Sequence, residues 1–232
     1  MVKAEDKSDK RLTIMVSSTV YGIEELLDQV FALLNGFGYE VWCSHKGTIP
    51  VDPNRTALEN CLAAVKRCDL FLGIITPQYG SGVFPGELGF THQELLKAIE
   101  LNKPRWILAH HYIPFVRSVF MKLGCSNAAD RKTMFDKLGF GTDEELKKLK
   151  QRQQAVIDDF RVIDMYDAAI RRDIKTYQQR SGNWVQKYTS DEDAMLFATA
   201  QFGRYSEVEA FIQNHFKDKV AIRNEVERRS AQ

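Results

Sequence analysis

The residue best suited to chemistry is a carboxylic acid near a helix start, accompanied by hydroxyls on loops. Thr91-His92-Gln93-Glu94 opens a helical stretch, with Glu94 one turn in. A carboxylate there, pointing into a crevice above the first and third strands, can stabilise an oxocarbenium-like ribose or hold its hydroxyls while an N-glycosidic bond breaks. The spacing is equally that of a capping box, in which Glu94 only reaches back to the Thr91 backbone. Ser17-Ser18-Thr19 follows an apolar run and leads into a helical pattern. Backbone N–H groups and hydroxyls in that setting hold an anion such as phosphate, or simply cap the helix. Tyr79-Gly80-Ser81-Gly82 is flexible enough to cover a ligand, or is a plain connection. His110-His111 are adjacent, so on a strand at most one faces a shared crevice. Glu87 is a second acid, read as solvated in its Gly-flanked loop.

Other chemistries lack their signatures. There is no GxxxxGK[ST] phosphate loop, no GxGxxG turn and no GxSxG elbow, which disfavours the usual routes to triphosphate hydrolysis, hydride transfer and Ser-His-Asp catalysis. Cys43, Cys61, Cys68 and Cys125 form no CxxC pair, and no histidine cluster has zinc-finger spacing. They read as reduced core thiols, Cys61 and Cys68 sharing a face if their segment is helical. Lys plus Arg is 32 against 31 Asp plus Glu, a net charge of +1, which argues against a dedicated nucleic-acid or acidic-membrane binder. No apolar run reaches the ~20 residues a membrane span needs, and Met1 to Arg11 has no apolar leader core. A cytoplasmic location without membrane partners is the expectation.

Repeated strand and helix signals must position these residues. Leu12 to Val16 reads as a buried strand. Ile23, Leu26, Leu27, Val30, Phe31 and Leu34 then mark one helix face, stopped at Gly36 and Gly38. Tyr39 to Cys43 is a second strand. Asn54 is placed to cap a helix carrying Leu58, Leu62 and Val65. Leu70-Phe71-Leu72-Gly73-Ile74-Ile75 is the strongest strand signal, suited to burial on both faces. A helix from Thr91 carries Leu95, Leu96, Ile99 and Leu101, and Arg105 to Ala109 is a fourth strand. Short helices are expected from Pro114 to Arg152, with the acids and bases of Asp143 to Lys148 aligned to a helix dipole. Asp159 to Asp164 is read as a fifth strand. Helices follow over Tyr166 to Lys175 and Asp191 to Asn214, with a loose helix over Lys217 to Gln232. Alternation of this kind predicts βαβ units and a parallel sheet with helices on both faces.

In such a sheet, ligands bind beyond the carboxyl ends of the strands where strand order reverses. The rule selects Ser17, Ser18 and Thr19; Cys43 and His45; Thr76, Gln78 and Tyr79; and His110 and His111.

Ile14-Met15-Val16-Ser17-Ser18-Thr19, Cys68 to Ile75, Tyr79-Gly80, Thr91-His92-Gln93-Glu94 and Lys103-Pro104 occur in an order and spacing that resemble an uncharacterised TIR-like domain often fused to the N-terminus of NACHT-type STAND ATPases. The resemblance covers about Arg11 to Ala109. It implies a flavodoxin-like α/β fold with strand order 2-1-3-4-5. TIR domains and nucleoside deoxyribosyltransferases share that architecture and carry a carboxylate on the equivalent helix. In TIR enzymes this group serves cleavage of the nicotinamide–ribose bond of NAD. By similarity Glu94 takes the catalytic role, with Ser17, Ser18 and Tyr79 lining the nucleotide site; Thr19, Thr76, Gly80, His45 and His110 join them as candidate substrate-binding residues. His92 departs from the family pattern, which usually has a second acid there, and after the matched stretch the sequence is expected to continue into helices of its own rather than into a fused ATPase.

The resemblance thus implies an N-glycosidase acting on NAD or a related nucleotide, in antiviral defence or signalling, with no metal and no cofactor beyond NAD as substrate. It also allows a non-catalytic assembly or nucleotide-sensing module. Partners are then a nucleotide and either a second copy of the chain or a defence-system protein. The expected layout is a loose N-terminus over 1–10, an α/β domain over 11–175 with a helical insertion at about 114–152, and a helical extension over 176–232.

Overall fold

The computed structural model describes residues 11–80, 87–138, 156–180, 184–205 and 207–210. The elements are β1 (Thr13–Ser18), α1 (Glu24–Gly36), β2 (Glu40–Cys43), α2 (Ala57–Arg67), β3 (Leu70–Ile75), α3 (Phe90–Glu100), β4 (Arg105–His110), α4 (Tyr112–Lys122), α5 (Ala128–Lys137), α6 (Arg161–Ala169), β5 (Trp184–Tyr188) and α7 (Asp191–Phe202). The strands form one sheet in the order β2-β1-β3-β4-β5, every neighbouring pair parallel. The architecture and strand order match the expectation.

The burial of each strand explains its place. All of β3 is buried, as a central parallel strand covered by helices on both faces must be. Its Gly73 has no room for a side chain, since a Cβ there would lie 2.8 Å from Ile107 Cδ1. The β1–β3 register is pinned by Asp69, whose Oδ2 accepts both the backbone N–H and the hydroxyl of Thr13 at 2.8 Å. One face of the sheet packs Met15, Phe71, Ile75 and Ile107 against α2, α3, α4 and α6. The other packs Ile14, Val16, Leu70, Leu72 and Leu108 against α1 and α7.

Three expectations are corrected. The fifth strand is not Asp159 to Asp164. Val162, Ile163, Met165, Tyr166 and Ala169 are the buried positions of helix α6, a spacing of 3.6 periodicity that the short window Phe160 to Ile163 concealed. The fifth strand is Trp184–Tyr188, paired with β4 from Trp106↔Trp184 to His110↔Tyr188. It is a half-exposed edge strand, and such strands lack the continuous apolar run of central ones. The sheet therefore extends past residue 175, into the stretch expected to be a helical extension, and α7 covers it. Thirdly, α2 is capped by Thr56 in a capping box with Glu59, while Asn54 binds Asp52 instead.

Within the expected insertion, α4 and α5 are present. The expected helix signals of Asp143 to Lys148 and Lys217 to Gln232, the loop residues Ser81-Gly82 and the N-terminal 1–10 lie outside the described residues. Among the described residues, no helix is long and apolar enough to cross a membrane.

Candidate functional site

Ser17 and Glu94 meet at the carboxyl end of β1. The Ser17 hydroxyl donates to Glu94 Oε2 at 2.5 Å. Both groups are buried, at 2% and 5% exposure. Glu94 lies on α3, whose first turn starts from Gly89 with no side-chain cap. Thr91 is therefore not a capping residue, and Glu94 is free of the capping box that its spacing allowed. Five residues into α3, on the face that carries buried Leu95 and Ala98, the acid is aimed at the sheet.

Burial raises the Glu94 carboxyl above its ordinary value, against the opposing pull of hydrogen bonds from Ser17 and from the Cys61 thiol. A carboxyl taken from water favours its neutral form. Cys61, on α2, is pushed up to about 12 by burial first and by Glu94 second. Cys43, at the end of β2, is raised by burial and also feels the Glu94 charge. Three elements thus converge on one acid. Cys61 was read from sequence only as a core thiol. Its position one helix turn from Leu58 and adjacent to Leu62 gave no sign of a polar partner.

Thr19 and Gly80 form a second meeting of the first and third loops. Gly80 adopts φ +92, and a Cβ on it would sit 2.9 Å from Thr19 Oγ1. Only glycine takes that backbone conformation readily and leaves room for so close an approach. Ser18 is spent at the carboxyl end of β1, donating to the carbonyls of Ile74 and Thr19 at 3.0 Å. Thr76 donates to the Gln78 carbonyl at 2.8 Å. Contrary to expectation, the Ser17-Ser18-Thr19 turn does not feed directly into a helix. Helix α1 begins at Glu24, and its N-terminal position Ile23 has no side-chain cap, so the hydroxyls are not at a helix N-terminus.

Tyr79 is buried and fully engaged. Its Oη bonds His92 Nδ1 at 2.8 Å and accepts the Gly89 N–H at 3.1 Å, while its backbone N–H donates to Asp158 at 2.8 Å. His92 is pushed down to about 4 by burial first and then by Arg161. His92, which stands where the resembling family has an acid, is therefore a neutral ring bonded to Tyr79.

The remaining candidates are not gathered at Glu94. His45 binds Asp28 of α1 at 3.0 Å, beside Lys46, whose bond to Asp28 holds that carboxyl below its usual range. His110 and His111 do not alternate across a strand. His110 ends β4, and His111 starts the turn into α4 with its ring 4.6 Å from that of His110. His110 also packs edge-on against Tyr188 at 5.3 Å. Here His111 Nδ1 and Tyr188 Oη are buried without partners. Among the described residues, no group of three or more His, Cys, Asp or Glu side chains is placed to hold a metal ion.

Two solved structures resemble the fold. One is a conserved protein from Enterococcus faecalis V583, 10% identical, with TM-score 0.40, covering 83% of this chain and 99% of its own. The other is the TIR domains of the activated Roq1 resistosome directly recognizing the pathogen effector XopQ, 11% identical, with TM-score 0.39, covering 66% of this chain and 84% of its own. Likeness at this level does not extend to chemistry. No curated protein matches the chain. The family model described as Domain of unknown function (DUF4062) matches residues 13–227, nearly the whole length that carries the sheet and its site, and the chain belongs to that family.

Proposed function

We propose that the chain cleaves the N-glycosidic bond of NAD or a related nucleotide, with Glu94 as the catalytic carboxylate. The observation that supports this is the Ser17–Glu94 pair. An acid is held away from water at the carboxyl end of β1, by a hydrogen bond to a strand rather than by a helix cap.

The chemistry asks for such a group. In NAD the nicotinamide ring is cationic, so the C1′–N bond can break with its electron pair passing to the ring nitrogen and no proton needed on the leaving group. The ribose left behind is oxocarbenium-like, and a carboxylate in a dry site stabilises it strongly. Water then adds to C1′ and releases a proton. Burial raises the Glu94 carboxyl above its ordinary value. A cationic ring entering beside it opposes that shift and favours the ionised form. At 5% exposure, Glu94 is reached only after the groups over it move. Antiviral defence or signalling is the setting we propose for this activity. The test is nicotinamide release from NAD by the purified chain. Release that Glu94→Gln abolishes supports the reading, and release unchanged by that substitution ends it.

A second reading is favoured by a different observation. A groove of about 550 Å³ is lined by Leu58 and Leu62 of α2, by Gln93, Leu96, Lys97 and Glu100 of α3, and by Glu87 and Leu88 before it. A groove in which four leucines stand among charged and polar side chains suits a non-catalytic assembly module. Light scattering would show self-association that Leu96→Glu abolishes if this reading holds.

A further inference from the structure

Arg161, the first residue of α6, ties together the chain on either side of the β3–α3 connection. Asp159 grips its guanidinium, with Nη2 at 2.7 Å from Oδ2 and Nε at 3.1 and 3.0 Å from Oδ1 and Oδ2. The plane so fixed lies over the Tyr79 ring, 4.3 Å from its centroid. The remaining nitrogen, Nη1, donates to the Glu87 carbonyl at 2.7 Å. Asp158, three residues earlier, accepts the Tyr79 N–H. Tyr79 in turn holds Gly89 and His92, the start of the helix that carries Glu94.

Each of these contacts uses a distinct property of arginine. The fork binds a carboxylate with two nitrogens, the flat face stacks on a ring, and a further N–H reaches a carbonyl. Lysine offers one point charge and can do only one of these at a time. The contacts also involve two separate parts of the chain, since α6 belongs to the helical stretch after β4 that has no other evident part in the site.

We propose that Arg161 is a positioning residue: it sets the first turn of α3, through Tyr79, and so aims the Glu94 carboxyl at Ser17. The catalytic consequence rests on the glycosidase reading above, whereas the mechanical part does not. Small displacements of a reacting group cost rate steeply, so an acid fixed through a chain of bonds depends on the anchor of that chain.

The test uses the full chain with Arg161→Lys, Arg161→Met and Arg161→Ala. Amide hydrogen exchange is read at Tyr79 and Gly89, with Leu72 in β3 as reference. In all variants exchange at Tyr79 and Gly89 accelerates by about tenfold or more while Leu72 keeps its rate, as expected when one local unit opens rather than the whole fold. Nicotinamide release falls about tenfold in kcat with KM within about twofold, and millimolar guanidinium restores part of the loss in Arg161→Ala. Unchanged exchange at Tyr79 and Gly89, or equal acceleration at Leu72, overturns the proposal. A wild-type chain that releases no nicotinamide removes the glycosidase reading, and the exchange result still decides the clamp. An active wild type whose kcat is indifferent to Arg161→Met overturns the positioning role alone.

Discussion

The Ser17 hydroxyl and the Glu94 carboxyl, 77 positions apart in the chain, lie 2.5 Å apart in the fold. The pairing joins the first strand to the third helix with two polar groups that water does not reach. Removing one partner leaves the other buried with its bond unmade, at a cost of about 1–3 kcal/mol. Ser17→Ala should therefore destabilise the chain by about that amount, read by urea unfolding at neutral pH.

Glu94 also predicts a dependence on pH. Its carboxyl is raised in the fold by burial, so the folded state binds the proton more tightly than the unfolded one. Stability from this group is complete below the ordinary carboxyl value of 4.5 and declines as pH rises from there through the folded value. Glu94→Gln keeps the shape and an acceptor for Ser17 but does not titrate. Its stability relative to wild type should grow as pH rises from 4.5. Urea midpoints of both proteins at acid and neutral pH check this, and a constant difference between them contradicts it.

His92 works in the opposite sense. Its imidazole is pushed down to about 4 from an ordinary 6.5, so the unfolded chain takes up the proton first. Stability is full above about 6.5 and lost as pH falls toward 4. The difference amounts to on the order of 3 kcal/mol at most. His92→Asn offers the Tyr79 hydroxyl another partner and cannot titrate. It should lose less stability than wild type between neutral pH and the lower value, as measured by paired urea titrations.

How much of this was legible in the sequence depends on local signals. The buried run of β3, the β1 strand and the α3 helix carry strong local patterns, so the parallel α/β architecture and the helix that holds Glu94 could be read, whereas the strand order followed only from the family resemblance. The partners of Glu94 could not, because nothing in the spacing of Ser17 or Cys61 records a contact made across the fold. Thr91-x-x-Glu94 shows the limit clearly. The spacing fits a capping box, and only the entry of the chain through Gly89 turns the acid inward. The strand β5 was missed for a related reason: Trp184-Val185-Gln186-Lys187-Tyr188 is half polar because it lies at an edge, and its identity comes from pairing with β4.

Gly80 predicts a coupled pair. Gly80→Ala places a side chain at φ +92 with its Cβ 2.9 Å from Thr19 Oγ1. The backbone strain alone costs about 1–2 kcal/mol, and the contact adds to it. Thr19→Ala removes the nearest atom without changing the backbone. The double substitution should be less destabilised than the sum of the singles by about 0.5 kcal/mol or more, as measured by thermal or urea unfolding of the four proteins.

The thiols offer a simple check on packing. Burial pushes Cys61 up to about 12 and Cys68 up to about 11. A thiol reacts as its thiolate, so both should resist alkylation at neutral pH in the native chain and react promptly in urea. Mass spectrometry of alkylated peptides reads each site separately. Rapid native labelling of Cys61 would mean that the Glu94 surroundings open freely to water.

The chain leaves the sheet at His110 and pairs with β4 again at Trp184, with α4, α5 and α6 among the described residues in between. During synthesis β4 is therefore finished long before its outer neighbour exists, and its open edge must wait. Pairings that close so long an excursion form late and slowly. The helix α7 that covers β5 comes later still, so the face of the sheet it shares with α1 stays only partly covered until α7 has been made. A ribosome-bound chain ending near residue 175 would then be a partly formed sheet with an unpaired rim. That state is the one most exposed to aggregation and to capture by chaperones, and the edge strand sets the moment when the fold becomes safe to release.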